Sequence, residues 1–236
     1  MLEIRNFTKK YKGGKVAVDN LSLTVEAGDI FAFIGHNGAG KSTTIKSVVG
    51  ILEFDSGDIF IDGHSVKDEP MACKKDLAYI PDNPDIYDHL TGIQYLNFIG
   101  DVFGVDSATR TAKIDDYATR FDIKKNLGDM VGSYSHGMKQ KLVLISALMH
   151  SPKLLVMDEP FVGLDPKASF EVKNIMRELC KEGAAIFFST HVLEVAEKLC
   201  NKVAIIKDGK LVVCGDTETV VGSGSLESVF LKSEEV

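Results

Sequence analysis

Apolar and polar residues alternate along MLEIRNFTKKY and VAVDNLSLTV, the period of strands that keep one face in a core. DIFAFIG, residues 29–35, is apolar without a break until its glycine, which predicts a strand covered on both faces. KSTTIKSVVGIL then takes helical spacing and is expected to stop near Gly50. GDIFIDG reads as a short strand between turn glycines, and LAYIPDNP as a strand ended by prolines. From about residue 87 to 149 strand signal gives way to helical spacing, so this part is expected to form a separate helical subdomain. Buried strands return as KLLVMDEP, AAIFFST and KVAIIKDG, with helical stretches PKASFEVKNIMRELCKEG and HVLEVAEKLC between them. Strand, helix and strand in turn predict a parallel sheet flanked by helices. GSGS at 222–225 reads as a short hinge, and LESVFLKSEEV as a small amphipathic helix whose Leu226, Val229 and Phe230 face the core. The expected organisation is one domain over residues 1–221, with the helical part inserted at about 87–149, then hinge and tail helix at 222–236.

Composition narrows the classes. A chain of 236 residues can bury a sizeable core. Its net charge of −7, with signs interleaved, argues against a nucleic-acid stripe, and no nucleic-acid partner is expected. Cys73, Cys180, Cys200 and Cys214 lie far apart without a C-x-x-C pair, so they read as reduced cytoplasmic thiols rather than a disulfide or zinc framework. The amino terminus intersperses charge where a signal peptide would be apolar. No apolar run approaches the roughly 18 residues of a membrane helix, so the chain is expected to be soluble by itself.

The chemistry concentrates in a few short stretches. GHNGAGKS, residues 35–42, fits G-x-x-x-x-G-K-[ST] and stands between a buried strand and a helix, the context that motif needs. Gly35, Gly38 and Gly40 let the chain wrap with its N–H groups turned onto phosphates. Lys41 can reach the β- and γ-phosphates, Ser42 can offer its hydroxyl to Mg²⁺, and Thr43 adds a hydroxyl and an N–H. An ordinary glycine-rich turn is the bland alternative, and strand, lysine and helix in register argue against it. LLVMDEP delivers Asp158 and Glu159 to the carboxyl end of a buried strand, where ligands bind in such sheets. Asp158 is a candidate Mg²⁺ ligand, and Glu159 a base for an attacking water. FFSTH carries His191 to the end of another buried strand, expected beside the first. GSYSHGMKQK, residues 132–141, precedes the buried-helix pattern LVLISALM. Ser135, His136 and Gly137 therefore stand at a helix start with spare N–H donors, which suits an anion.

GHNGAGKST, YSHGM, LLVMDEP, GLDP and STH, in that order and spacing, resemble the nucleotide-binding subunit of ATP-binding cassette (ABC) transporters. The resemblance covers essentially the whole chain. It implies an α/β fold: a P-loop NTPase (RecA-like) core with a mainly parallel sheet, an N-terminal antiparallel β subdomain and an inserted α-helical subdomain. It implies ATP and Mg²⁺ as ligands, with Tyr11 stacked on adenine and Gly35, Asn37, Gly38, Ala39, Gly40, Lys41, Ser42 and Thr43 in the phosphate loop. Ser42, Asp82 and Asp158 would attend the metal, Glu159 would be the catalytic base assisted by Lys41, and His191 the switch histidine. Asp165, in GLDP, matches the loop that crosses to a partner subunit.

The family signature, usually LSGGQ, is matched by YSHGM. This implies that Ser135, His136 and Gly137 meet the γ-phosphate held by the other subunit of a head-to-tail dimer. Tyr134, His136 and Met138 replace the family's leucine, first glycine and glutamine, while Ser135 and Gly137 remain. The variation resembles that of antibiotic- and multidrug-export ATPases. Asp82 stands where the family commonly has glutamine; it keeps an oxygen but is shorter and charged. It either caps the turn completed by Asn83 and Pro84 or senses the metal. The implied protein is an ATPase that dimerises with a second copy or a homologous subunit and powers separate transmembrane permease subunits from the cytoplasmic face of the membrane. The rivals are a soluble cassette ATPase, such as an iron–sulfur assembly factor, and a nucleotide switch outside transport.

Overall fold

The computed structural model describes residues 1–235, with side chains through Ser233; Val236, the end of the expected tail helix, lies outside the described residues. The amino-terminal alternation forms β1 (Leu2–Lys10) and β2 (Val16–Val25), paired antiparallel. Both strands change phase partway: Leu2 and Ile4 point inward and are followed by Phe7, while Val18 is followed by Leu21. Asn6 and Asn20, at φ 48° and 53°, take up the extra residues as bulges that keep the apolar side on the core. β3 (Ile30–Ile34) is the uninterrupted apolar run, with Ile30, Ala32 and Ile34 in one core and Phe31 and Phe33 in the other. It leads into α1 (Lys41–Val48), which ends before Gly50 at φ 72°. β4 (Ser56–Ile61) pairs with β1, and the two-residue β5 (His64–Ser65) follows on β4. Gly57 is obligatory here: a Cβ would lie 2.4 Å from the carbonyl oxygen of the bulged Asn6.

After α2 (Pro70–Asp76) and β6 (Leu77–Ile80) come α3 (Gly92–Val102), α4 (Ser107–Arg120) and α5 (His136–Leu148). Each of these last three starts at a side-chain cap, Thr91, Asp106 and Ser135 respectively. The rest alternates: β7 (Leu154–Asp158), α6 (Pro166–Lys181), β8 (Ala185–Thr190), α7 (Leu193–Leu199), β9 (Lys202–Lys207), β10 (Lys210–Asp216), α8 (Thr217–Val221) and α9 (Leu226–Glu235). Arg120 at the end of α4 forks onto Glu171 and Glu178 of α6, tying the helical region to the core.

Two sheets result, β2-β1-β4-β5 and β10-β9-β3-β8-β7-β6. In the second, all neighbours are parallel except β10, which runs against β9. One apolar core fills the space between the sheets, and the other lies under the helices on the far face. α2, β10 and α8 carry too little pattern to be predicted. α2 buries only Cys73, and β10 alternates half-buried with exposed residues at a sheet edge. All four cysteines are free thiols. At the end of the stretch expected as a hinge, Ser228 N–H donates to Ser225 Oγ and Ser225 N–H to Ser228 Oγ, both at 3.2 Å, a capping turn at the start of α9. Leu226 is fully buried, and its N–H donates to the Glu197 carboxylate at 2.7 Å. Small polar residues serve flexibility and helix capping equally well, so composition alone does not separate the two.

Candidate functional site

Because β3, β7 and β8 run parallel side by side, their carboxyl ends converge, with Asp158 opposite Ser189. The loop between β3 and α1 is shaped by what lies under it. A Cβ on Gly35 would sit 2.5 Å from the carbonyl oxygen of Ile206, and one on Gly40, at φ 114°, 2.7 Å from that of Ala17. Ala39 is fully buried, and its carbonyl accepts the N–H of Gly209 at 2.9 Å. Lys41 turns back over the loop, donating to the carbonyl oxygens of Gly35 at 2.6 Å and His36 at 3.2 Å. Burial holds its ammonium below the ordinary lysine range, against the opposing pull of Glu159 and then Asp158.

The acidic side is equally constrained. The Ser189 hydroxyl donates to Asp158 Oδ1, and the Glu159 N–H donates to the same hydroxyl at 3.0 Å. Asp158 Oδ2 is buried and has no hydrogen-bond partner among the described residues. Glu159 adopts φ 48°, a left-handed conformation that costs an L-residue about 1–2 kcal/mol. Its Oε1 lies 3.0 Å from His191 Nδ1 and 3.8 Å from Lys41 Nζ. The Tyr11 hydroxyl is 3.2 Å from the Thr43 hydroxyl, and the residue is 44% exposed at the cleft's mouth with Lys9 Nζ 5.7 Å from its ring centroid.

These groups enclose one cleft of about 430 Å³. Tyr11, Asn37, Gly38, Gly40, Lys41, Ser42, Thr43, Asp82, Asp158 and Glu159 all line it. Gly35 and Ala39 shape the loop from beneath, and His191 joins through Glu159. Asp82 lines the cleft, and its Oδ1 accepts the Asn83 N–H at 2.8 Å. Lys15, Val16, Ala17, Asp208 and Gly209 also line the cleft and were not marked in the sequence. The DG dipeptide of the β9–β10 turn announces a hairpin, but its contact with the loop is a tertiary fact.

Ser135, His136, Gly137 and Asp165 form a second, separate constellation that does not line this cleft. Ser135 caps α5 by accepting the Met138 N–H at 3.3 Å. Asp165 caps α6 through Ala168 at 2.8 Å and takes the Lys141 ammonium at 2.7 Å, which holds its carboxyl below the usual carboxylate range. The structure thus gathers a glycine-shaped loop, a lysine and two carboxylates around one cleft, and sets a helix start capped by Ser135 outside it.

A family profile described as ABC transporter matches residues 18–162. YhcH of Bacillus subtilis, an uncharacterized ABC transporter ATP-binding protein, is 38% identical over 214 residues, covering 90% of this chain and 68% of its own. The linearmycin resistance ATP-binding protein LnrL, also of Bacillus subtilis, is 33% identical over 218 residues, 91% of this chain and 69% of its own. A solved structure of the ATP-binding subunit of an ABC transporter superposes with a TM-score of 0.95 at 31% identity, covering 99% of both chains.

Proposed function

The chain belongs to the ABC transporter family as an ATP-binding ATPase subunit, and on that premise we propose that two copies clasp two Mg·ATP between them and power separate membrane subunits, in the export direction. The observation that carries the two-copy reading is the division of the site. Lys41, Ser42, Asp158 and Glu159 surround one cleft, while the donors at Ser135 and Gly137 stand outside it on the same chain. A helix start of this kind, on a helix of 13 residues, attracts negative charge. In a head-to-tail pair each start would meet the γ-phosphate held by the other copy.

The residues fit a hard cation. Ser42 and Asp82 supply oxygen at the cleft, and the unpartnered Asp158 Oδ2 is a buried acceptor that a divalent ion would satisfy. Bound there, Mg²⁺ supplies positive charge to the β- and γ-phosphate oxygens. Lys41 would exchange the carbonyls of Gly35 and His36 for phosphate oxygens. Glu159 would take a proton from the attacking water while His191 holds its carboxylate in place. Loss of the γ-phosphate removes the charge that both half-sites share, and the pair opens.

That motion needs an outlet. No helix among the described residues is long and apolar enough to cross a membrane. An apolar groove of about 750 Å³ runs from Pro81, beside Asp82, between α2, α3 and α5. Ile51, Met71 and Val102 stand more than half exposed along it, with Lys74 and Lys75 among its lining. It suits an apolar cytoplasmic helix of a membrane subunit with an acidic residue for the lysines, and would hold the chain at the cytoplasmic face of the membrane. The export direction is supported by the altered signature and by the likeness to a protein named for linearmycin resistance. Ser135→Arg should abolish ATP-driven dimerisation, measured by light scattering, while each monomer still binds one ATP. A normal dimer from that variant would sink the two-copy reading.

A further inference from the structure

His136, the residue that replaces the family's glycine, has a specific seat in its own chain. A Cβ on Gly163 would lie 2.6 Å from His136 Cδ2 and 2.9 Å from Nε2, so the imidazole edge is packed directly on the glycine. The fit is reciprocal one residue on, where a Cβ on Gly137 would come within 3.0 Å of the Gly163 carbonyl oxygen. Further along α5, Lys141 Nζ grips Asp165 at 2.7 Å. The start of α5 is therefore fastened to residues 163–165 by a ring on a glycine, a backbone approach and an ion pair.

Those residues are the far end of the segment that begins at Glu159. The Glu159 carbonyl accepts the Val162 N–H at 3.1 Å, and the Phe161 carbonyl accepts the Leu164 N–H at 3.4 Å. Phe161 is anchored edge-on against Phe188 of β8 at 5.9 Å. Two consecutive turns with one aromatic anchor leave little slack between Gly163 and the base.

We propose that His136 is a positioning residue: by seating on Gly163 it ties the start of α5 to the Glu159 segment of the same chain, so that an anion arriving at the helix start sets the position of the base in that chain's own cleft. The direction of this coupling rests on the two-copy reading, whereas the His136–Gly163 contact does not. A glycine at position 136 would leave the helix start able to bind its anion but would leave Gly163 uncovered.

A double-mutant cycle in turnover by the full chain tests this. His136→Gly should lower kcat by between about tenfold and about 10²-fold, the scale of a misplacement near 1 Å, while KM for Mg·ATP changes by less than about twofold. Gly163→Ala carries two penalties, strain at φ 79° and the collision with the ring, and only the strain remains once the ring is gone. Its effect on kcat should therefore be at least about threefold smaller in the His136→Gly background than in the parent. Equal losses in both backgrounds, or a His136→Gly enzyme as fast as the parent, would overturn the proposal. If His136→Gly fails to unfold cooperatively near the parental temperature, His136→Ala serves in the same cycle. Retained dimerisation by Ser135→Arg would instead remove the two-copy reading, while leaving the outcome of the cycle intact.

Discussion

Glu159→Gln should lower steady-state ATP hydrolysis by about 10²–10⁴-fold, the usual contribution of a positioned general base. The substitution is nearly isosteric, and the backbone N–H that anchors this residue to Ser189 is untouched, so the cleft keeps its shape. What disappears is the capacity to accept a proton, together with one negative charge 3.8 Å from Lys41. Burial holds Lys41 below the ordinary lysine range, and Glu159 is the larger of the two carboxylate influences that pull the other way. A bound triphosphate replaces that influence, so nucleotide affinity should be kept or raised. The variant should accumulate as an ATP-bound dimer, visible by light scattering with Mg·ATP and absent with ADP. Turnover at the parental rate would remove Glu159 from the base role and shift attention to His191, 3.0 Å away.

Lys41→Met is the second large effect, and it acts earlier, on the nucleotide itself. The ammonium is joined by hydrogen bonds to the loop's own carbonyls, those of Gly35 and His36. Removing a preorganised donor at a developing negative charge costs about 10²–10³ in kcat. The nucleotide-free protein should suffer too, since a carbonyl left buried without its donor costs about 1–3 kcal/mol. The expected result in a thermal melt is therefore double: a lower midpoint without nucleotide, and no rise when Mg·ATP is added. A Lys41→Met protein that is still stabilised by ATP as strongly as the parent would contradict the assignment.

The sequence exposed those features whose cause is local. DIFAFIG and LLVMDEP are apolar on both faces because their strands lie inside the sheet, and that needs no partner to be recognised. The glycine spacing before Lys41 and the cap at Ser135 are likewise decided within a few residues. Features set by distant chain segments stayed hidden. Gly209 reaches the phosphate loop only because β9 lies beside β3, and Lys15 reaches the cleft only through the first sheet. β10 is an edge strand, where half-exposed residues blur the alternation, and α2 is too short and polar to show a periodic face. The bulges at Asn6 and Asn20 shift strand phase midway, which a fixed period of two cannot follow. His136 could be recognised as unusual from its motif, but its seat on Gly163 required the fold.

The left-handed backbone at Glu159 has a consequence for how this ATPase can change over generations. Glycine or asparagine would relax that conformation, and either would remove the carboxylate proposed as proton acceptor. Breeding the protein for heat tolerance alone would favour such replacements, and the survivors would be sturdier and inert. Selection for durability and selection for turnover therefore pull position 159 in opposite directions.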